Sequence, residues 1–501
     1  MTTTSPLEWT KTSPTTYERA IDDFERLYLF IAVVGQGRPD KQNWHTTTAI
    51  KISTKRDHFT EDIKAAWKAL RYDHPTFSAI IEDDRWIYNA ANEQDLSSWL
   101  EETFHVHDVS QSARQLFPFK TNPSRRVVLH VLPQTQELVL QAPHTHVDGI
   151  GMVTFFDHLL RYLVNPTPTE PSFGNEGENL VPPLSITAQV PAYTPEQKKA
   201  WDDNLNNFMS QFPTVRVRSE NKGAAATKAT MQWLTFTPDE TTRIVNRSKQ
   251  LGFSVTAAAQ AAVSYAARIH GQVHNTKHAT FAIYNAREYI DPAKWPYDRL
   301  VGPHVLSMPA VFPITDSFSE TARQARHVFQ DYKKNDLLRA VSPFWATDIP
   351  SALATPLPPD MPVAADLQLS SVGIIDRYLQ ESYESQEDGG RAEVEVQDVW
   401  ISLDMLSPNV AVEMWTFGGE LVVELIYNEA YHRAESIALL LGLIQEQLQQ
   451  GLGVDLGLDT KAPGEEAFMK KKTANKQGNR TKNAVCAAVS EVTPLVVEHR
   501  D

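Results

Sequence analysis

Seven prolines crowd into the polar stretch from Asn165 to Pro195. Proline locks φ and lacks the backbone N–H, so such a run can neither continue a helix nor lie inside a sheet. It reads as a long extended connection. The 501 residues exceed what one ordinary core holds, and this connection divides them into two stretches of similar size. The expected organisation is a first half over 1–175, a Pro-rich crossover with one helix over 176–230, a second half over 231–455, and a disordered tail over 456–501. The tail expectation rests on lost periodicity beyond Thr460 and on Lys470-Lys471-Lys472, Asn475, Gln477 and Gly478, with too little apolar content to fold alone.

Both halves alternate between strand and helix patterns. In the first, His45 to Ser53 suits a strand, with Thr46, Thr48, Ile50 and Ile52 on one face. A helix is predicted from about Thr60, with Ile63, Trp67 and Leu70 at helical spacing and Pro75 beyond its end. Val127–Leu132 and Leu138–Ala142 flank a polar turn and read as a hairpin. In the second half, Met231 to Thr237 suits a strand. Thr237-Pro238-Asp239-Glu240 then forms a capping box with proline at the first helical position. Ser254 to Ile269 predicts an Ala-rich central helix, and Arg433 to Leu448 a final one, with strands at 280–284, 311–314, 410–416 and 421–427. The fold class is α/β, two mixed sheets covered by helices. The boundary between two such halves is a common place for a small-ligand site.

Pro143-His144-Thr145-His146-Val147-Asp148-Gly149-Ile150-Gly151 closes the first half, between the strand pattern ending at Ala142 and a helix with Met152, Phe155, Phe156, Leu159, Leu160 and Leu163 at helical spacing. His144 is the candidate general base, because a neutral imidazole suits proton removal near pH 7. Gly149 and Gly151 suit positions where a side chain would obstruct a channel or a tight turn. His144-x-His146-x-Asp148 also matches the first part of a metallo-hydrolase pattern. Position 149 is Gly rather than His, however, and no later block supplies the remaining ligands a zinc site needs. No metal is expected, and His146 is expected to be structural.

The net charge of −15 argues against nucleic acid, which requires clustered Lys and Arg. Cys486 is the sole cysteine, so neither an intrachain disulfide nor a Cys-based metal cluster is available. No apolar run approaches the roughly 18–20 residues of a membrane span, and Met1–Pro6 shows no secretory signal. A soluble, cytoplasmic monomer is expected, with no membrane partner.

Together with H-x-x-x-D-G, four blocks carry a family resemblance. They are Trp9…Tyr17-Glu18-Arg19-Ala20-Ile21-Asp22, Leu70-Arg71-Tyr72-Asp73-His74-Pro75, Ser370-Ser371-Val372-Gly373-Ile374-Ile375-Asp376 and Tyr427-Asn428-Glu429-Ala430-Tyr431. Over residues 9–450 the chain resembles the CoA-dependent acyltransferase superfamily of chloramphenicol acetyltransferase, plant BAHD acyltransferases and condensation domains, and within it the fungal trichothecene 15-O-acetyltransferases. Two positions depart from the pattern. Pro143 stands where a histidine often precedes the catalytic one, and Trp415-Thr416-Phe417-Gly418-Gly419 replaces the plant D-F-G-W-G block.

The resemblance implies two chloramphenicol-acetyltransferase-like halves with the active site in a tunnel between them. It implies acyl transfer, acetyl in the first instance, from acyl-CoA as cosubstrate to a hydroxyl of a fungal secondary metabolite, a terpenoid or mycotoxin intermediate, with no bound cofactor. His144 would be the base. Asp148 would brace the loop by pairing with Arg287 rather than orient the histidine, and Gly149 would keep the loop open. Ser370, Ser371 and Gly373 would line the tunnel, with Trp415 as a wall. Three other readings stay open: a condensation-like enzyme taking its acyl group from a carrier protein, a binding protein without catalysis, and the zinc hydrolase.

Overall fold

The computed structural model describes residues 5–457 except 35–37, 39, 120–122, 167–171, 222, 342–343, 345–346, 355–364 and 386–391. The tail expected to be disordered therefore lies outside the described residues from 458 onward. The first half is built on a six-stranded sheet whose order is Ser382–Glu384, Ala392–Leu403, Thr46–Thr54, Glu137–Ala142, Val128–Leu132 and Phe104–Val106. Thr46–Thr54 reads TTTAIKIST, and its β-branched residues suit a pleated, buried surface. Glu137–Ala142 and Val128–Leu132 form the hairpin, paired antiparallel with Leu129 opposite Leu140. Helices Phe59–Asp73 and Gly149–Val164 pack against each other and cover this sheet through Ile63, Trp67, Leu70, Met152, Phe155 and Leu159.

Two strands of that sheet come from the second half of the chain. Ala392–Leu403 runs antiparallel to Thr46–Thr54, placing Trp400 opposite Ala49 and Ile401 opposite Thr48, with a bulge between Val396 and Asp398. The reading of the second half as strands at 410–416 and 421–427 left this strand out. Its alternating Glu, Val and Gln resemble any half-buried strand, and only its partner sheet makes it central.

The second half carries a four-stranded sheet in the order Leu367–Ile374, Val410–Phe417, Glu420–Asn428 and Ala229–Phe236. Period-2 alternation divides its residues between two cores. Val410, Val412, Met414, Leu421, Val423 and Leu425 join the core of the second half, which includes helices Val255–His270 and Ala434–Leu452. Ala411, Trp415, Val422 and Ile426 instead join the core of the first half. The helix Pro238–Gln250 starts with the Thr237–Glu240 capping box, proline at its first turn. A two-stranded sheet, Lys277–Asn285 with Val305–Pro313, ends beside Arg287.

Candidate active site

Glu137–Ala142 delivers the chain to a tight turn, in which the N–H of His146 bonds the carbonyl of Pro143 at 2.9 Å. Asp148 then caps the helix Gly149–Val164, accepting from the Gly151 N–H at 2.7 Å. His144 is thus held between a strand end and a helix start, and its ring lines a cavity of about 190 Å³. Nδ1 is buried and makes no well-aligned hydrogen bond, although the carbonyls of His144 and Val147 bear on the ring; we take Nε2 as the nitrogen that faces the cavity. Tyr28, from the helix Asp23–Val33, stacks on the imidazole with ring centroids 4.3 Å apart at 14°. Trp44 stands 6.3 Å away, tilted by 47°. Burial pushes the imidazole below its ordinary value of 6.5, opposed by its own carbonyl and by Asp148. The ring is therefore neutral at neutral pH, with a lone pair available.

Asp148 faces the other way. Its two oxygens accept from both terminal nitrogens of Arg287, at 2.9 and 3.0 Å, and Oδ2 also accepts the backbone N–H of His304 at 2.8 Å. Arg287 spends its remaining donors on the carbonyls of Leu300 and Gly302. Both side chains are buried. Burial works against the carboxylate, but Arg287 and the hydrogen bonds outweigh it and hold the Asp148 pKa below 3.8. The pair joins residues 139 positions apart and ties the loop to the second half.

His146 also lines the cavity, but both of its ring nitrogens are engaged. Its Nε2 donates to the carbonyl of Ala79 at 3.1 Å, while Nδ1 accepts from Thr145 Oγ1; burial pulls its pKa down to about 4. His144, His146 and Asp148 thus serve three different surroundings rather than one ion. Among the described residues no group of three His, Cys, Asp or Glu could hold a metal.

The two glycines differ. A Cβ on Gly151 would sit 1.9 Å from the carbonyl oxygen of Val301, so the helix start and the 299–302 segment touch backbone to backbone. One on Gly149 would meet Ile401 at 3.5 Å, ordinary van der Waals contact.

Comparison with known proteins locates this arrangement. No family model matches the chain. Acetyltransferase pigO of Monascus ruber is 24% identical over 466 residues, 89% of this chain and 99% of that protein. O-acetyltransferase pigM of the same organism is 23% identical over 464 residues, 90% of this chain and 88% of its own length. Among solved structures, TRI3 trichothecene 15-O-acetyltransferase from Fusarium sporotrichioides superposes with a TM-score of 0.76 at 17% identity, covering 88% of this chain and 97% of the other. The chain shares the fold of that acetyltransferase.

Within this fold, the remaining expected site residues lie on the second sheet. Ser370 lies opposite Glu413 on the neighbouring strand, and Ser371 Oγ lies 3.1 Å from Thr256 Oγ1 at the start of the central helix. Gly373 has φ of +91° at a register shift, a backbone position that favours glycine. Trp415 is buried in the core of the first half, its indole N–H unpartnered. None of these four lines the cavity at His144. No described helix is long and apolar enough to cross a membrane.

Several residues escaped the sequence reading. Tyr28 had a signal, since Phe24, Leu27 and Tyr28 recur at helical spacing behind the Asp22–Glu25 capping box. Trp44 had none. Glu413 and Glu424 lie directly opposite each other on paired strands, on the face turned toward the first half. Burial pushes their pKa values up to about 8 and about 7, although Arg114 donates to Glu424 at 2.7 Å. In sequence they look like ordinary solvent-facing strand residues.

Proposed function

We propose that the protein is an acyl-CoA-dependent O-acyltransferase, acetyl being the transferred group, which acylates a hydroxyl of a fungal secondary metabolite with His144 as general base. His144 Nε2 takes the hydroxyl proton as the oxygen attacks the thioester carbonyl. The tetrahedral intermediate collapses with loss of the CoA thiolate, which recovers the proton from the imidazolium, leaving ester and free CoA-SH. The observation that carries this reading is the neutral His144 imidazole, clamped at a strand end, with Nε2 open to a cavity and Nδ1 enclosed. The acetyltransferases of Monascus ruber, matched over most of their lengths, support the choice of acetyl.

Asp148 is committed to Arg287 and acts as a brace for the loop. Neither a bound cofactor nor a metal takes part in this scheme. Incubation of the purified chain with acetyl-CoA and an extract of pathway intermediates, followed by mass spectrometry, tests the proposal. A product heavier by one acetyl group, absent with His144→Ala, is the expected result; no acetylated product, or equal product from the variant, overturns it.

A further inference from the structure

We infer that Trp44 is a specificity-determining residue: it presents its indole to the hydroxyl-bearing substrate at His144 and selects acceptors that are neutral, flat and ring-containing. The inference rests on the acyltransferase reading above and goes beyond it to the acceptor class.

The backbone supplies the first observation. Trp44 has φ of +59°, the left-handed region in which a bulky L-residue is a genuine outlier. Such strain persists only where the surroundings over-determine it, and it clusters at functional sites. Here three consecutive residues are pinned. The N–H of Asn43 bonds the carbonyl of Ala32 at 2.9 Å, that of Trp44 bonds the carbonyl of Asp404 at 2.8 Å, and the carbonyl of His45 accepts from Asp404 at 2.9 Å. Asn43 Oδ1 in turn accepts from Leu406. This frame sets the half-buried indole in the cavity wall, with part of the ring packed against the core of the first half.

The cavity supplies the second. Trp44 and Tyr28 are the aromatic side chains that share it with His144, and Ile31, Ala32 and Ile81 add apolar wall. Among the described residues no carboxylate lines it, and the one cation among them, Arg125, is paired with Glu82 at 2.6 Å. A cationic acceptor would find no counter-charge there. With Tyr28 already occupied in stacking on His144, the indole is the surface on which a flat ring can rest while its hydroxyl reaches Nε2.

The test uses the full chain, acetyl-CoA, and two probe alcohols of similar bulk, 2-naphthalenemethanol and cyclohexylmethanol. Binding of 2-naphthalenemethanol is followed by its fluorescence anisotropy, and cyclohexylmethanol by displacement; neither reading needs turnover. Trp44→Ala should weaken 2-naphthalenemethanol about tenfold, the scale of a lost aromatic pair, Trp44→Phe should recover about half of that on a logarithmic scale, and cyclohexylmethanol should change less than threefold. The KM for acetyl-CoA should stay within about twofold. Trp44→Gly relieves the left-handed strain that Ala retains, so it should melt no lower than Trp44→Ala while ring affinity falls equally.

Equal weakening of both alcohols, or a rise in the acetyl-CoA KM without loss of ring binding, would overturn the assignment. A Trp44→Gly variant that melts lower and binds normally would show the residue to be purely structural. If His144→Ala stays active, the base reading fails, but the binding result for Trp44 stands on its own.

Discussion

The two sides of the 143–151 loop are finished to different degrees. On the Asp148 side both carboxylate oxygens and all of the Arg287 nitrogens have partners, and the group is sealed from solvent. On the His144 side one ring nitrogen is buried without a well-aligned hydrogen bond and the other faces a cavity. Buried polar groups are normally satisfied, so an unsatisfied one calls for an explanation, whereas a saturated one braces. The same short segment therefore holds a fixed anchor and a group kept available for chemistry.

Removing the available group should cost rate and spare stability. His144→Ala is expected to lower turnover by about 10² to 10⁴, the usual contribution of a positioned base, with an unchanged melting temperature. Because the His144 pKa lies below its ordinary value, kcat/KM should stay flat through neutral pH and fall only beneath the usual histidine range. An acid limb above pH 6.5 would contradict the assignment.

Removing the anchor should do the reverse. Asp148→Ala and Arg287→Ala each strand a buried charge and should destabilise by about 3–5 kcal/mol in denaturant unfolding. The double variant should lose much less than the sum, since contacting residues are non-additive. An uncoupled cycle, or an Asp148→Asn that folds normally but loses most activity, would point instead to Asp148 orienting the histidine. With its folded pKa lowered, Asp148 adds stability above its unfolded value near 3.8, and that stability is lost as pH falls through the folded value.

Between the two sides lie the glycines. Gly151→Ala drives a methyl into the Val301 carbonyl and should cost about 1–3 kcal/mol. Gly149→Ala meets only ordinary contacts and should stay within about 1 kcal/mol. Equal losses at the two positions would mean that the close approach to Val301 does not matter.

The smallest effect sets the Asp148 anchor against a buried acid without its saturation. Glu413 has a folded pKa of about 8 against 4.5 when exposed. Its contribution to stability is complete below pH 4.5 and drains away as pH rises toward 8, opposite in sign to that of Asp148. Glu413→Gln should therefore flatten the decline in melting temperature between pH 5 and 8, and an unaltered slope would show that Glu413 is not the group responsible.

Local pattern carried much of the fold. The helices at 59–73, 149–164, 238–250, 255–270 and 434–452 follow from apolar spacing and caps, because a helix satisfies its backbone within itself. The H-x-x-x-D-G segment is legible for the same reason, lying between a period-2 strand and a period-3.6 helix. The helix Asp23–Val33 was missed although its capping box is written in Asp22 and Glu25, and with it went Tyr28.

By itself the sequence determined the type of each strong element, the placement of His144 between strand and helix, and, through the family resemblance, the fold class. Only the tertiary structure decided that Ala392–Leu403 completes the sheet of the first half, that Arg287 reaches across the interface to Asp148, and that Glu413 and Glu424 face each other in the interior. It alone turned Trp44 toward His144 through a left-handed backbone. The reason is physical: period and capping are encoded within a few residues, but strand partners, desolvation and unmet hydrogen bonds depend on groups brought together from far along the chain.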